Sequence, residues 1–322
     1  MGLMTGLKAN KAYRLQKNGQ TEEAIKIYEE AFAEGLNDPR YVLSYALLII
    51  RKGEYQKAKD FLVKHQKAPG MTPDQRVTLL VDYAACCFRL GDIDKGINTL
   101  EQQHRKGETG LIYQTLGYLY VEKYDAAHKP EFPPEEEGAE AEETAVTEET
   151  AEETEETAEA AEKTAEATEE TAEDSVSGEA EPAQQPEQET MDEHTAPEAA
   201  ADEKQLSPRE AWDAGVEKAE AFIRASLEYD DEDPICLDNM GQFLYRVRED
   251  RAGAKEWFEK ALANKDSQID TLYFLSLYDE EAGDNEAALK KLEKAVVGRF
   301  SPLNYCSKEA VEKEILRLKG VN

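Results

Sequence analysis

Apolar residues recur along this chain at helical spacing, and one short segment punctuates them again and again. Residues 19–24, 53–58, 91–96 and 283–288 read alike: Gly, four mostly polar residues, then Ala or Gly. Each closes one apolar-periodic stretch and opens the next, the pattern of two amphipathic helices joined by a tight turn. Ala24 to Ala58 spans 34 residues, and Ala254 to Ala288 also spans 34. A fixed period of this length predicts a repeat array, in which each helix pair covers an apolar face that its neighbour cannot bury alone.

The units align residue by residue. The first helix of each carries a small residue: Ala12, Ala46, Ala84, Gly117 and Ser276, with Gly241 or its neighbour Gln242 in the fifth unit. The second helix opens on Ala24, Ala58, Gly96, Ala219, Ala254 and Ala288. Four residues later come Tyr28, Leu62, Leu100, Ile223, Phe258 and Leu292, on the same helix face. Pro39 and Pro234 each follow their unit's Ala by 15 residues. This pattern resembles the tetratricopeptide repeat, over everything except one acidic segment. His65, Gln103 and Ser226 depart from it by standing where that family favours Ala, Asp279 by standing at an apolar position, and Glu249 by replacing the turn Gly.

The expected fold is therefore all-α: a right-handed tetratricopeptide-type solenoid of about six helix-turn-helix repeats plus a C-terminal capping helix. Ser307 reads as the N-cap of that last helix, and Val311, Ile315 and Leu318 as its buried face. The N-terminus has no equivalent, so Leu3, Met4 and Leu7 are left to face solvent, a second copy or an upstream segment. Self-association through this uncapped repeat is one expectation.

Charge sharpens the domain picture. The chain carries a net charge of −32, yet residues 129–206 hold 29 Asp and Glu against 3 Lys, leaving the rest close to −6. Three spans follow: residues 1–128 as the first part of the solenoid, residues 129–206 as an acidic low-complexity insertion inside repeat four, and residues 207–322 as the second part. Within the insertion Thr-Ala pairs recur every seven residues from Thr150 to Ala172, filled in with Glu. A coiled-coil seam needs two large apolar residues per heptad, so disorder is the expectation. Ser207, Pro208 and Glu210 form a helix-start signal for the missing second helix of repeat four. Stretching that turn to about 80 residues costs roughly 2–3 kcal/mol of closure entropy, and Trp212, Phe222 and Ile223 are the expected anchors against it.

Chemistry-bearing patterns are sparse. Cys86, Cys87, Cys236 and Cys306 show neither a paired framework nor CxxC spacing, so they read as packed thiols in a cytoplasmic, reducing setting. His65, His104, His128 and His194 are isolated, and nucleotide-binding or hydrolase motifs are missing. The expectation is no enzyme, no cofactor and no metal. Acidity argues against nucleic acid, whose phosphates call for clustered bases. No apolar run is long enough to span a bilayer. Residues 1–7 are apolar but short for a signal core. An anchor upstream of Met1 would make this a membrane-tethered assembly or chaperone-like factor, the alternative reading.

What remains is a surface for a protein or peptide partner. The resemblance implies that the first helices line a concave groove. Carried over, its lining is Tyr13, Leu43, Leu47, Ala85, Phe88, Tyr118, Phe243 and Tyr273. Such a groove would suit a helix or extended segment with apolar anchors, which makes the chain a non-catalytic scaffold or adaptor. The family's carboxylate clamp needs Lys, Asn and Arg at inward positions. Here those positions read Ala9, Tyr13, Val81 and Ala85, so a clamp is not expected.

Overall fold

In each repeat turn one residue must leave the right-handed helical region so that the chain can reverse. Gly19, Gly53, Gly91 and Gly283 do this with φ between 76° and 83°. Around Gly53 the local bonds are Gly53 N to Ile50 O (2.9 Å) and Glu54 N to Ile49 O (3.0 Å), which satisfy two carbonyls at the helix end. The computed structural model describes residues 3–132 and 206–320, and all regular structure among them is helical. Described residues on both sides of the insertion belong to one compact unit. Residues 133–205, on which the expectations of disorder and of a Thr-Ala heptad fall, lie outside the described residues.

Six helix pairs follow in chain order. They are α1 (Leu3–Lys17) with α2 (Thr21–Ala33), α3 (Pro39–Arg51) with α4 (Tyr55–His65), and α5 (Pro73–Arg89) with α6 (Ile93–His104). Then come α7 (Gly110–Tyr124) with α8 (Pro208–Tyr229), α9 (Pro234–Gln242) with α10 (Arg251–Asn264), and α11 (Ile269–Glu281) with α12 (Asn285–Val296). A last helix, α13 (Lys308–Leu318), covers the sixth pair. Ser307 Oγ accepts from Ala310 N at its start, Val311 is fully buried, and Ile315 and Leu318 pack beside it, as expected. Ala24, Ala58, Ala219, Ala254 and Ala288, together with Tyr28, Leu62, Leu100, Ile223 and Phe258, are fully buried. Each large side chain among them contributes about 1.5–3 kcal/mol of burial.

The fourth repeat closes despite its long interruption. Ser207 and Glu210 form the reciprocal cap, with Ser207 N donating to Glu210 Oε2 (2.8 Å) and Glu210 N to Ser207 Oγ (3.3 Å). Trp212 stands edge-on to Tyr124 at 5.3 Å, and Phe222 sits among His104, Tyr113 and Tyr120 at 5.2–5.5 Å. A Cβ on Gly215 would lie 2.2 Å from the Tyr124 hydroxyl, so the α7–α8 approach requires glycine there. Several such ring pairs, each worth about 0.5–1.5 kcal/mol beyond burial, offset the closure entropy.

The fifth repeat resolves the ambiguity between Gly241 and Gln242. A Cβ on Gly241 would meet the Phe258 ring at 2.7 Å, so Gly241 is the crossing residue. In repeats one, two, three and six the crossing residue precedes the turn Gly by seven positions, whereas Gly241 precedes Glu249 by eight. The extra residue is absorbed by a π-helical turn over Phe243–Val247, with Arg248 N bonded to Phe243 O at 3.1 Å. Glu249 then takes φ 55°, the backbone state that Gly supplies elsewhere.

The other departures are absorbed locally. His65 is buried, with Nδ1 3.0 Å from Asn37 Oδ1 and its ring against Phe61. Ser226 is buried and donates to Ile223 O, and Asp279 pairs with Lys291. The four cysteines are buried free thiols. At the N-terminus Met4 and Leu7 are 68% and 59% exposed.

Candidate functional site

Consecutive first helices touch, α1 to α3, α3 to α5, α5 to α7 and α7 to α9, and so make a continuous layer. α11 extends it where Thr271 Oγ1 donates to Asp238 Oδ1 of α9. The residues expected to line this layer fall into two groups. In repeats one to three Tyr13 is 38% exposed, with Lys17 Nζ 4.8 Å from its ring, and Leu43, Leu47 and Phe88 are half-buried. Phe88 meets Tyr118 edge-on at 5.8 Å. Tyr273 on α11 is half-buried.

Phe243 is not on the face. It is fully buried in the core shared by α5 to α9. Counting inward positions from Gln242 brings Phe243 to the surface. The observed crossing at Gly241 turns Phe243 into the core and places Gln242 in the position after the crossing, where it is buried in a polar network. Ala85 and Tyr118 are buried too, at about 4% exposure, and the Tyr118 ring helps line a cavity of about 170 Å³. Ala9 and Val81, at clamp positions, are also buried carbon side chains.

Repeats four to six carry a polar network that apolar patterning did not announce. Arg246, in the π-helical turn, is buried and donates to Asp125 Oδ2 (2.8 Å), Glu122 Oε1 (2.8 Å) and Gln242 Oε1 (2.9 Å). Gln242 Nε2 donates in turn to Asp238 Oδ2 at 2.6 Å. Burial raises the pKa of Asp238. Asp270 at the start of α11 is raised by burial and then by the charge of Asp238.

Residues 297–307, between α12 and α13, lie over this network. Arg89 at the end of α5 donates through Nε to Pro302 O (2.8 Å) and through Nη2 to Asn304 O (3.4 Å). Asn304 Nδ2 and Tyr305 N donate to Asp270 at 3.0 and 3.1 Å. The Tyr305 ring lies 4.3 Å from the Arg246 guanidinium and 5.7 Å from Tyr273. Leu303 packs on the apolar core of repeats three to five. The only sequence signal for this loop is its length. α2 and α3 are joined by residues 34–38, whereas eleven residues join α12 to α13.

Residues 17–103 match the sequence profile of the family described as anaphase-promoting complex, cyclosome, subunit 3. Six helix pairs on a 34-residue period, with the small crossing residue in the first helix and the Ala stripe in the second, complete the assignment. The chain is a tetratricopeptide repeat protein. Among solved structures, a chain of the Cut9–Hcn1 hetero-tetramer of the APC/C aligns at 11% identity and a TM-score of 0.50, over 95% of this chain and 41% of its own. This chain thus spans about two fifths of that one. PilW, a widely conserved type IV pilus biogenesis factor, aligns at 9% identity and 0.50, over 98% of this chain and 100% of its own. A tetratricopeptide repeat protein from Parabacteroides merdae ATCC 43184 aligns at 13% identity and 0.42, over 99% and 100%. No curated protein matches by sequence.

In this tetratricopeptide fold the first-helix face divides. Its first half, on α1, α3 and α5, offers aromatic and aliphatic carbon with Lys17 beside Tyr13 and with Arg51 in the field of Asp82 and Arg299. Its second half is filled by residues 297–307. No described helix is long and apolar enough to cross a membrane, and no cluster of three metal-ligating side chains occurs among the described residues.

Proposed function

We propose that this protein is a non-catalytic scaffold that holds a segment of a protein partner against its first-helix face. Entry is through repeats one to three. The observation that carries this reading is the row Tyr13, Leu43, Leu47 and Phe88: apolar side chains on three successive first helices, each still partly open to solvent. Large carbon side chains held on rigid helices, with little left to order on contact, are what a peptide-binding groove needs. Lys17 and Arg51 at the ends of α1 and α3 favour a segment that carries acids beside its apolar anchors. The four buried thiols suit a reducing, cytosol-like compartment.

A pull-down compares the wild-type chain with Leu43→Asp/Leu47→Asp, both positions being only half-buried. Proteins retained by the wild type and lost by a still-helical variant support the reading. Identical captured sets count against it.

A further inference from the structure

The loop of residues 297–307 is bonded to the groove in the way a bound peptide would be. It reaches first helices of repeats three to six: Arg89 of α5, the core beside α7 and α9 through Leu303, and Asp270 and Tyr273 of α11. Much of what it offers is main chain: the carbonyls of Pro302 and Asn304 to Arg89, and the N–H of Tyr305 to Asp270. The side-chain amide of Asn304 adds a second donor to the same carboxylate. A turn at residues 301–304, closed by Asn304 N to Ser301 O (3.2 Å), delivers Leu303 to the apolar core.

We propose that residues 297–307 are a resident occupant of the groove in repeats three to six, and that a partner segment enters that half by displacing them. The inference rests on the scaffold reading above and adds to it what the closed half recognises: a peptide main chain. The incoming segment gives carbonyls to Arg89, gives N–H groups to Asp270 and places one aliphatic side chain where Leu303 sits. Two observations favour displacement over a fixed cap. The loop leaves a cavity of about 170 Å³ between itself and Tyr118, Asp238, Asn239 and Asp270, so it packs less completely than the helices beneath. Asp270, almost fully buried, takes donors from Asn304, Tyr305 and Cys306. A buried carboxylate stripped of donors is costly, so the open loop is a transient minor state until a segment with equivalent donors arrives to stabilise it.

Hydrogen exchange on the intact wild-type chain tests this without any partner. The amides of Ser301, Leu303, Asn304, Tyr305 and Cys306 are expected to exchange about tenfold faster than those of α11 and α13 on either side. Protection equal to α11 overturns the proposal. A fluorescein-labelled peptide with the sequence of residues 298–307, carrying Cys306→Ser, then reads occupancy. It is expected to bind the full chain carrying Leu303→Asp/Tyr305→Ala about tenfold more tightly than the wild type, and Arg89→Ala added to that chain is expected to remove the gain. No gain in the loosened, still-helical chain overturns the proposal; if that chain fails to fold, the exchange result decides. A fixed loop in a protein that still loses its partner on Leu43→Asp/Leu47→Asp sinks this inference and leaves the scaffold reading standing.

Discussion

Arg246 and Asp125 lie 2.8 Å apart although 121 residues of chain separate them. Their contact joins the end of the split fourth repeat to the π-helical turn of the fifth, and Glu122 shares the same guanidinium. Both side chains are buried. Arg246→Ala leaves two carboxylates facing each other with no cation between them. The expected cost is about 3–5 kcal/mol in urea unfolding. A loss below about 1 kcal/mol, the value of an exposed pair, would show that water reaches this junction.

Glu249 is the one described non-glycine residue with positive φ, at the place where repeats one, two, three and six have Gly. A side chain in this state costs about 1–2 kcal/mol, of which the added chain entropy of Gly takes back part. Glu249→Gly is therefore expected to raise stability by about 0.5–1 kcal/mol, and Gly283→Ala to lower it by about 1 kcal/mol. Thermal melts of both variants check the pair. Destabilisation by Glu249→Gly would contradict the turn assignment.

Gly241 marks the tightest crossing in the fifth repeat. Gly241→Ala puts a methyl 2.7 Å from the Phe258 ring, and the expected loss is about 1–3 kcal/mol. Gln242→Ala creates no such clash; it removes the bridge between Asp238 and Arg246. A neutral Gly241→Ala would contradict Gly241 as the crossing residue.

Repeat number, turn positions, caps and core stripes were legible because each rests on local chemistry. A φ-permissive Gly, a Ser-Pro-x-Glu start and an i, i+4 stripe act over a few residues, and the Gly and the stripe recur. The groove was legible only where that register held. One extra residue in the fifth repeat turned Phe243 from face to core, and nothing in its neighbours announces a π-helical turn. Arg246 with Asp125, and Asp270 with Asn304, are contacts across repeats between residues that look like ordinary surface charges and loop amides. Periodicity carries no information about such pairs. The loop of residues 297–307 was hidden for the same reason, since its partners lie up to 215 residues away.

The buried carboxyls make stability depend on pH in a defined direction. Burial holds Asp238 and Asp270 above the ordinary carboxyl value of about 4. From that value up to the raised folded values the native state binds more protons than the unfolded chain, so stability falls as pH rises through this window. Asp270→Asn removes one of these ionisations. The wild type is expected to lose more melting temperature than Asp270→Asn between about pH 4 and about pH 8, which spans the window. Parallel curves would mean that Asp270 ionises without penalty.

The central claim is that the first-helix face, and not the outer one, meets the partner. A photo-crosslinking amino acid at position 13 or 47 tests it, with exposed Lys26 on α2 and Gln56 on α4 as outer-face controls. The account predicts one and the same captured protein from positions 13 and 47, and none from 26 or 56. Capture of that protein from the second-helix positions alone, or equally from both faces, would contradict it.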